Sequence, residues 1–69
     1  MREVKIDTDY IKLDQLLKYA DITQTGGHSK FLIKEGKVKV NGEKNTMRGK
    51  KIRKNDIVEV ENEEKIIIK

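Results

Sequence analysis

Hydrophobic and polar residues first alternate along the chain, with Val4 and Ile6 set against Glu3, Lys5 and Asp7. That period predicts a short half-buried strand at a sheet edge. Leu13, Leu16, Leu17 and Ala20 then fall at i, i+3, i+4 and i+7, the stripe of an amphipathic helix over about residues 12–20, with Asp14 and Lys18 spaced to pair on its wet face. Ile22 to Gln24 reads as a connector and Thr25 as an N-cap. Ser29, Leu32 and Ile33 supply the buried face of a second helix. Gly36 suits the left-handed position that ends it. Beyond it Val38 and Val40 alternate with Lys37, Lys39 and Asn41, and Asn41-Gly42 predicts a type I′ hairpin turn. Ile57, Val58 and Val60, then Ile66 to Ile68, read as two further strands around a turn at Asn62-Glu63. The expected fold is α+β: two packed helices against a small, mostly antiparallel sheet, in a single domain over residues 1–69 with no internal repeat and no linker.

Composition narrows the function classes. Sixty-nine residues can bury one small core and can hardly enclose a deep cleft. With no cysteine and a single histidine, disulfide frameworks and thiolate metal sites are excluded and zinc has little basis. Met1 to Asp7 carries charges and no apolar run, so neither a signal peptide nor a membrane span is expected there, and the expected location is cytoplasmic. Charge is unevenly spread. Lys30 to Lys54 holds ten Lys/Arg against two acids, whereas the remaining residues hold six against ten. A segregated basic stretch creates a local potential suited to polyanions; a solvated lysine-rich surface would have the same composition.

Three constellations bear on binding. Thr25-Gly26-Gly27-His28-Ser29-Lys30 puts two glycines into the opening turn of a helix, where each costs about 1 kcal/mol relative to alanine. Either they let a phosphate reach the unpaired N–H groups and partial positive charge of a helix N-terminus, or they permit a tight turn and close helix packing. Lys30, Lys34 and Lys37, at i, i+4 and i+7, are expected on one exposed helical face, extended by Lys39 and the turn residue Asn41. Arg48, Lys50, Lys51, Arg53 and Lys54 form a third cluster within Met47 to Lys54, a loop or irregular strand, in which Arg48 and Arg53 are the better phosphate anchors. Tyr10, Tyr19 and Phe31 are the only rings, too few for a stacking platform, and Phe31 is expected to pack beside the core. His28 has no assigned role. Asp14, Asp21 and Asp56 lack a nucleophile-and-base pair or a metal-ligand spacing and read as helix-surface and turn acids, so no enzyme activity and no cofactor are expected.

These residues resemble the RNA-binding domain first described in the small-subunit ribosomal protein S-four, in its short stand-alone bacterial form (the YaaA/YbcJ type). The resemblance spans about residues 10–61. It rests on Leu13-Asp14 with Leu17; on Thr25-Gly26-Gly27 with Lys30, Leu32 and Ile33; on Gly36-Lys37-Val38-Lys39-Val40-Asn41-Gly42; and on Asp56-Ile57-Val58-Glu59-Val60. Gly26 and Gly27 stand where the wider family often has arginines, so backbone amides would replace guanidinium contacts. Asn55 takes the place of a usual glycine, which an asparagine tolerates in a left-handed turn. The resemblance implies an α-L motif, two helices and a hairpin forming one face for structured RNA, with relatives that look like ribosome-assembly or translation factors.

The resulting expectation is a monomeric module for structured RNA, ribosomal RNA or ribosomal particles first, with no membrane and no small-molecule substrate. Thr25, Gly26, Gly27, Lys30, Lys34, Lys37, Lys39, Asn41, Arg48, Lys50, Lys51 and Arg53 are its candidate contacts. The alternative is a protein-interaction adaptor on the ribosome or an RNA enzyme, docking a basic partner through the acidic segments Glu3 to Asp9 and Asp56 to Glu64.

Overall fold

The helical stripe and the strand alternation converge on one cluster: Leu13, Leu16, Leu17, Ala20 and Ile33 from the helices meet Val38, Val40, Val58, Val60, Ile66 and Ile68 from the sheet, with Val4 and Ile52 closing its sides. In the computed structural model, which describes residues 1–69, the elements run β1 (Arg2–Val4), β2 (Ile11–Lys12), α1 (Leu13–Tyr19), α2 (Gly26–Lys34), β3 (Val38–Val40), β4 (Glu43–Lys44), β5 (Lys51–Ile52), β6 (Ile57–Val60) and β7 (Ile66–Ile68). The main sheet has the order β1-β7-β6-β3-β4, and β2 pairs with β5 in a separate two-stranded ribbon. The fold is α+β, and every strand pair except β1–β7 is antiparallel.

β1 occupies the predicted edge and runs parallel to β7. Its assigned strand stops at Val4, yet the ladder continues: Lys69 N–H donates to the Val4 carbonyl, and Ile6 N–H donates to that of Lys69. Both helices end in the same way. After α1, Asp21 turns left-handed (φ 60°) and Ile22 N–H donates to the Leu17 carbonyl at 2.9 Å. After α2, Gly36 does so (φ 74°), Gly36 N–H donates to Ile33 and Lys37 N–H to Leu32, each at 3.1 Å. These are Schellman closures, which satisfy the last carbonyls and turn the chain back. Arg2 Nη1 adds a bond to the Ala20 carbonyl at 2.6 Å, a cation where the helix dipole is negative. Asn41 (φ 52°) and Gly42 (φ 85°) make the predicted I′ turn between β3 and β4. Asn55 and Asn62 are the other left-handed residues, so every non-glycine in that region is the Asp or Asn that tolerates it best.

Several expectations are corrected. The segment Met47 to Lys54, expected as a loop or irregular strand, contains both: Lys50 N–H closes a turn onto the Met47 carbonyl, and the short strand β5 follows with Ile52 wholly buried, which was not expected. Two residues of period-two pattern are too few to announce such a strand. Lys37 does not continue the lysine row of α2, because the closure at Gly36 diverts it across the sheet to Glu61 at 3.6 Å. Thr23, within the expected connector Ile22 to Gln24, is buried. Phe31 is not packed at the core; it is 57% exposed, since it lies on the side of α2 opposite Ser29 and Ile33.

Gly36 is also a point of close approach. A Cβ there would stand 3.0 Å from the Lys44 side-chain stem, at a φ of +74°. Gly36→Ala is therefore expected to destabilise the domain by about 1–2 kcal/mol, lowering Tm by roughly 4–8 °C per kcal/mol for a domain this small; thermal unfolding followed by circular dichroism checks it.

Candidate nucleic-acid interface

The start of α2 is built from three hydroxyls. Thr25 sits in the extended region (φ −134°, ψ 157°), which aims its Oγ1 back at the helix, where it accepts from His28 N–H at 3.1 Å. The Thr25 carbonyl accepts from Ser29 N–H. Ser29 Oγ donates to the Asp14 carbonyl at 3.3 Å. Its lone pairs are then left for Thr23 Oγ1, 2.5 Å away, so Thr23 is the donor of that buried pair. The hydroxyls pin α2 to α1 and satisfy one of the opening amides. Gly26 and Gly27 N–H have no partner within the chain, and both residues are exposed.

Neither backbone conformation nor close packing requires these two glycines. Neither has a positive φ. A Cβ on Gly26 would meet nothing within 4 Å, and on Gly27 only the Thr25 hydroxyl at 4.0 Å. Of the two readings left open by the sequence, a tight turn with close helix packing is therefore removed. What remains is a bare helix start, with unpaired N–H groups and no side chain in front of them.

The basic loop is held beside this helix pair by the backbone. Lys12, the N-cap of α1, makes no side-chain capping bond. Carbonyls from the loop cap the helix instead: Leu13 N–H donates to Lys50 at 2.9 Å and Asp14 N–H to Arg48 at 3.1 Å. Asp14 thus joins three elements, its N–H taken by the Arg48 carbonyl and its carbonyl by Ser29. Its side chain is not the solvated partner of Lys18 that the helical spacing suggested: Asp14 Oδ1 is buried and without a partner.

Further along the loop, Tyr10 gathers cations. Its ring, on the strand side of Lys12, lies 4.9 Å from Lys51 Nζ and 5.7 Å from the Arg53 guanidinium. Cation–π contacts of this exposed kind contribute about 0.5–1 kcal/mol and restrict where the charges stand. Asp56 closes the other end: Oδ2 accepts from Arg53 N–H at 2.8 Å and Oδ1 from Asn41 Nδ2 at 3.0 Å. Asn41 Oδ1 accepts in turn from Ile57 N–H at 2.9 Å. The Asn41 amide is thus bound at both ends into the fold, linking the hairpin tip to the basic loop.

The candidate residues fall into three groups. Thr25, Gly26, Gly27, Lys30 and Lys34 share the exposed surface of α2. Arg48, Lys50, Lys51 and Arg53 follow the loop, and Lys50 lines a shallow depression with Asn41, Glu43 and Lys44. Lys37 and Lys39 lie apart from these, lining a groove with Glu59, Glu61 and Glu63, where Lys39 stands opposite Glu59 across β3–β6 and Lys44 across β3–β4. Apart from Lys37, none of the candidate cations is in an ion pair. Tyr10 is the residue that sequence reasoning missed: in Tyr10-Ile11-Lys12 the alternation is too brief to identify an outward-facing ring. No three of the acidic and histidine side chains come together as a metal site requires, and no helix is long and apolar enough to cross a membrane.

Two helices joined by the Ser29 hydroxyl, a hairpin, and a basic loop bonded to α1 and to the hairpin tip make an α+β fold consistent with the S-four resemblance. The family model for the S4 domain matches residues 4–69, and the chain belongs to that family. Among its relatives, a protein of Bacillus subtilis (strain 168) named "probable ribosome maturation protein RlbA" is 45% identical over 58 residues, covering 84% of this chain and 82% of the relative.

The lock between hairpin and loop can be measured. Asn41→Gly keeps the left-handed backbone and deletes the side-chain bonds; Asp56→Ala deletes the acceptors. Each is expected to cost about 1–2 kcal/mol, and the double variant should be less destabilised than the sum by about 0.5 kcal/mol or more. Urea unfolding of the four proteins gives the coupling directly, and simple additivity would mean that the Asn41–Asp56 bond contributes nothing.

Proposed function

We propose that this chain is an RNA-binding module without chemistry of its own, acting on structured ribosomal RNA during ribosome maturation. The observation that carries the reading is the pair Gly26-Gly27: two glycines that neither backbone conformation nor packing requires, at the one place where their lack of a side chain leaves helix amides open to a phosphate. Membership in the S4 family and the name of the Bacillus relative support the class of ligand and the setting.

In this reading one phosphate is received at the Gly26 and Gly27 amides, with Thr25 holding the turn that exposes them. Lys30 and Lys34 neutralise neighbouring phosphates along α2. Arg48, Lys50, Lys51 and Arg53 contact a second stretch of backbone, Arg53 and Lys51 steered by Tyr10. Lys39 has the weaker claim, facing Glu59, and Lys37 would have to leave Glu61, an exposed ion pair of about 0–1 kcal/mol. Asn41 serves by fixing the hairpin against the loop. A ligand held by charge and backbone amides is read by the spacing of its phosphates, which favours the geometry of folded RNA over base sequence.

Gly26→Ala and Gly27→Ala should each raise stability, by about 0.4–1 kcal/mol, while weakening binding to a ribosomal RNA stem junction; fluorescence anisotropy beside thermal melts reads both. A substitution that stabilises the fold and leaves RNA affinity unchanged would remove the phosphate site. Lys30→Ala and Lys34→Ala should each reduce the slope of log affinity against log salt by about 1 for every phosphate the lysine neutralises. The same titration against a DNA duplex of matched length should show weaker binding at near-physiological salt; equal, steeply salt-dependent binding to both would favour the adaptor reading.

A further inference from the structure

Phe31 is the large apolar side chain that α2 leaves exposed on the proposed RNA surface. It is 57% exposed on α2, a helix with ample polar alternatives for a solvent-facing position, and the isolated domain forgoes the gain that removing an aromatic ring from water would bring. The helical period decides what stands next to it. At 100° per residue, Gly27 and Lys34 lie within about 60° of it on one side and Lys30 just beyond. His28 and Glu35 lie on the other side. The backbone of Phe31 is four residues, about 6 Å along the axis, from that of Gly27.

Between them the surface is open. No atom of Phe31 comes within 4 Å of the position a Cβ would take on Gly27, so the ring stands beside the bare helix start without covering it. The exposed side of α2 thus carries free amides at its start, an aromatic ring one turn further along and two ammonium groups without an acidic partner. Resting on the RNA reading above, we infer that Phe31 stacks on an unpaired nucleobase whose own or adjoining phosphate is held at the Gly26 and Gly27 amides. The charge around the ring selects a polyanion over an apolar protein surface: Lys30 and Lys34 have no acidic partner.

Stacking of this kind narrows the ligand class. A fully paired duplex keeps its bases stacked on each other and offers none to Phe31, whereas a bulge, loop or junction does. The ring also adds an interaction that salt does not screen, in contrast to the lysines.

The test compares an RNA hairpin carrying one unpaired adenosine with the same hairpin fully paired, against the full chain. Wild type should prefer the bulged RNA. Phe31→Ala should lose about five- to hundredfold in affinity for it, retain the salt slope, and bind the paired hairpin as wild type does; because the ring is exposed, its melting temperature should hardly move. Phe31→Trp introduces a tryptophan into a chain that has none, and its emission should be quenched by the bulged RNA and not by the paired one. If wild type binds both hairpins but Phe31→Ala binds them equally well, or the tryptophan does not respond, stacking is overturned while the phosphate reading stands. If Phe31→Ala keeps RNA affinity but loses association with purified ribosomal subunits, the ring is an anchor for protein and the inference is likewise overturned. If wild type binds neither hairpin, the RNA reading fails and this inference fails with it.

Discussion

The first amides of α1 are capped from a distant part of the chain. A short helix that begins at Leu13 without a capping side chain on Lys12 would leave its N-terminal N–H groups unsatisfied, at a cost comparable to that of broken hydrogen bonds. The carbonyls of Lys50 and Arg48 satisfy them. This constraint places the rest. It fixes the basic loop on the helix pair, pairs β5 with β2, draws Ile52 into the core and brings Lys51 and Arg53 to the ring of Tyr10. The loop's positive side chains are directed outward because its backbone is employed inward.

The two helices therefore treat their N-termini in opposite ways. In α1 the opening amides are closed by the chain itself. In α2 Thr25 satisfies His28 and leaves Gly26 and Gly27 bare, in a turn where alanine would be tolerated sterically and preferred energetically. The same residue type has the reverse logic at Gly36, where the left-handed backbone favours it and the Lys44 side chain would have to move aside for a Cβ. A local choice that the fold does not require, at an exposed turn, is what the proposed phosphate site would explain.

Most of the fold was legible in the sequence because its devices are short-range. The 3.6-residue stripes of Leu13 to Ala20 and Ser29 to Ile33, the Asn41-Gly42 turn, the Gly36 stop and the Thr25 cap each depend on neighbours a few residues away. What could not be read depends on pairings between distant segments. Ile52 is buried only because β5 finds β2, and Lys37 meets Glu61 only because β3 pairs with β6. Asp14 has the spacing of a surface acid, but Ser29 and the Arg48 carbonyl crowd its turn. Of the candidate site, the glycines, Lys30, Lys34 and the basic cluster were proposed from residue type and spacing, and the structure places all of them at exposed positions. Tyr10 was missed because its role lies in two cations more than forty residues away, and Phe31 was misplaced because adjacency to core positions along a helix says little about which way a side chain points.

The distribution of charge then acquires a simple meaning. Segment composition alone would make every lysine from Lys30 to Lys54 equivalent, and a flexible basic segment would hold polyanions of any shape. Here the cations are sorted. Lys37 is neutralised and Lys39 is set among glutamates, whereas the α2 pair and the loop cluster are left unpaired on elements tied together through Asp14, Asn41 and Asp56. Holding charges at fixed separations reduces the ordering cost of binding and penalises phosphates that do not match them. In the RNA-binding reading proposed above, a domain with so small a core would discriminate among nucleic acids in this way, through the bonds that set the elements carrying its charges in place.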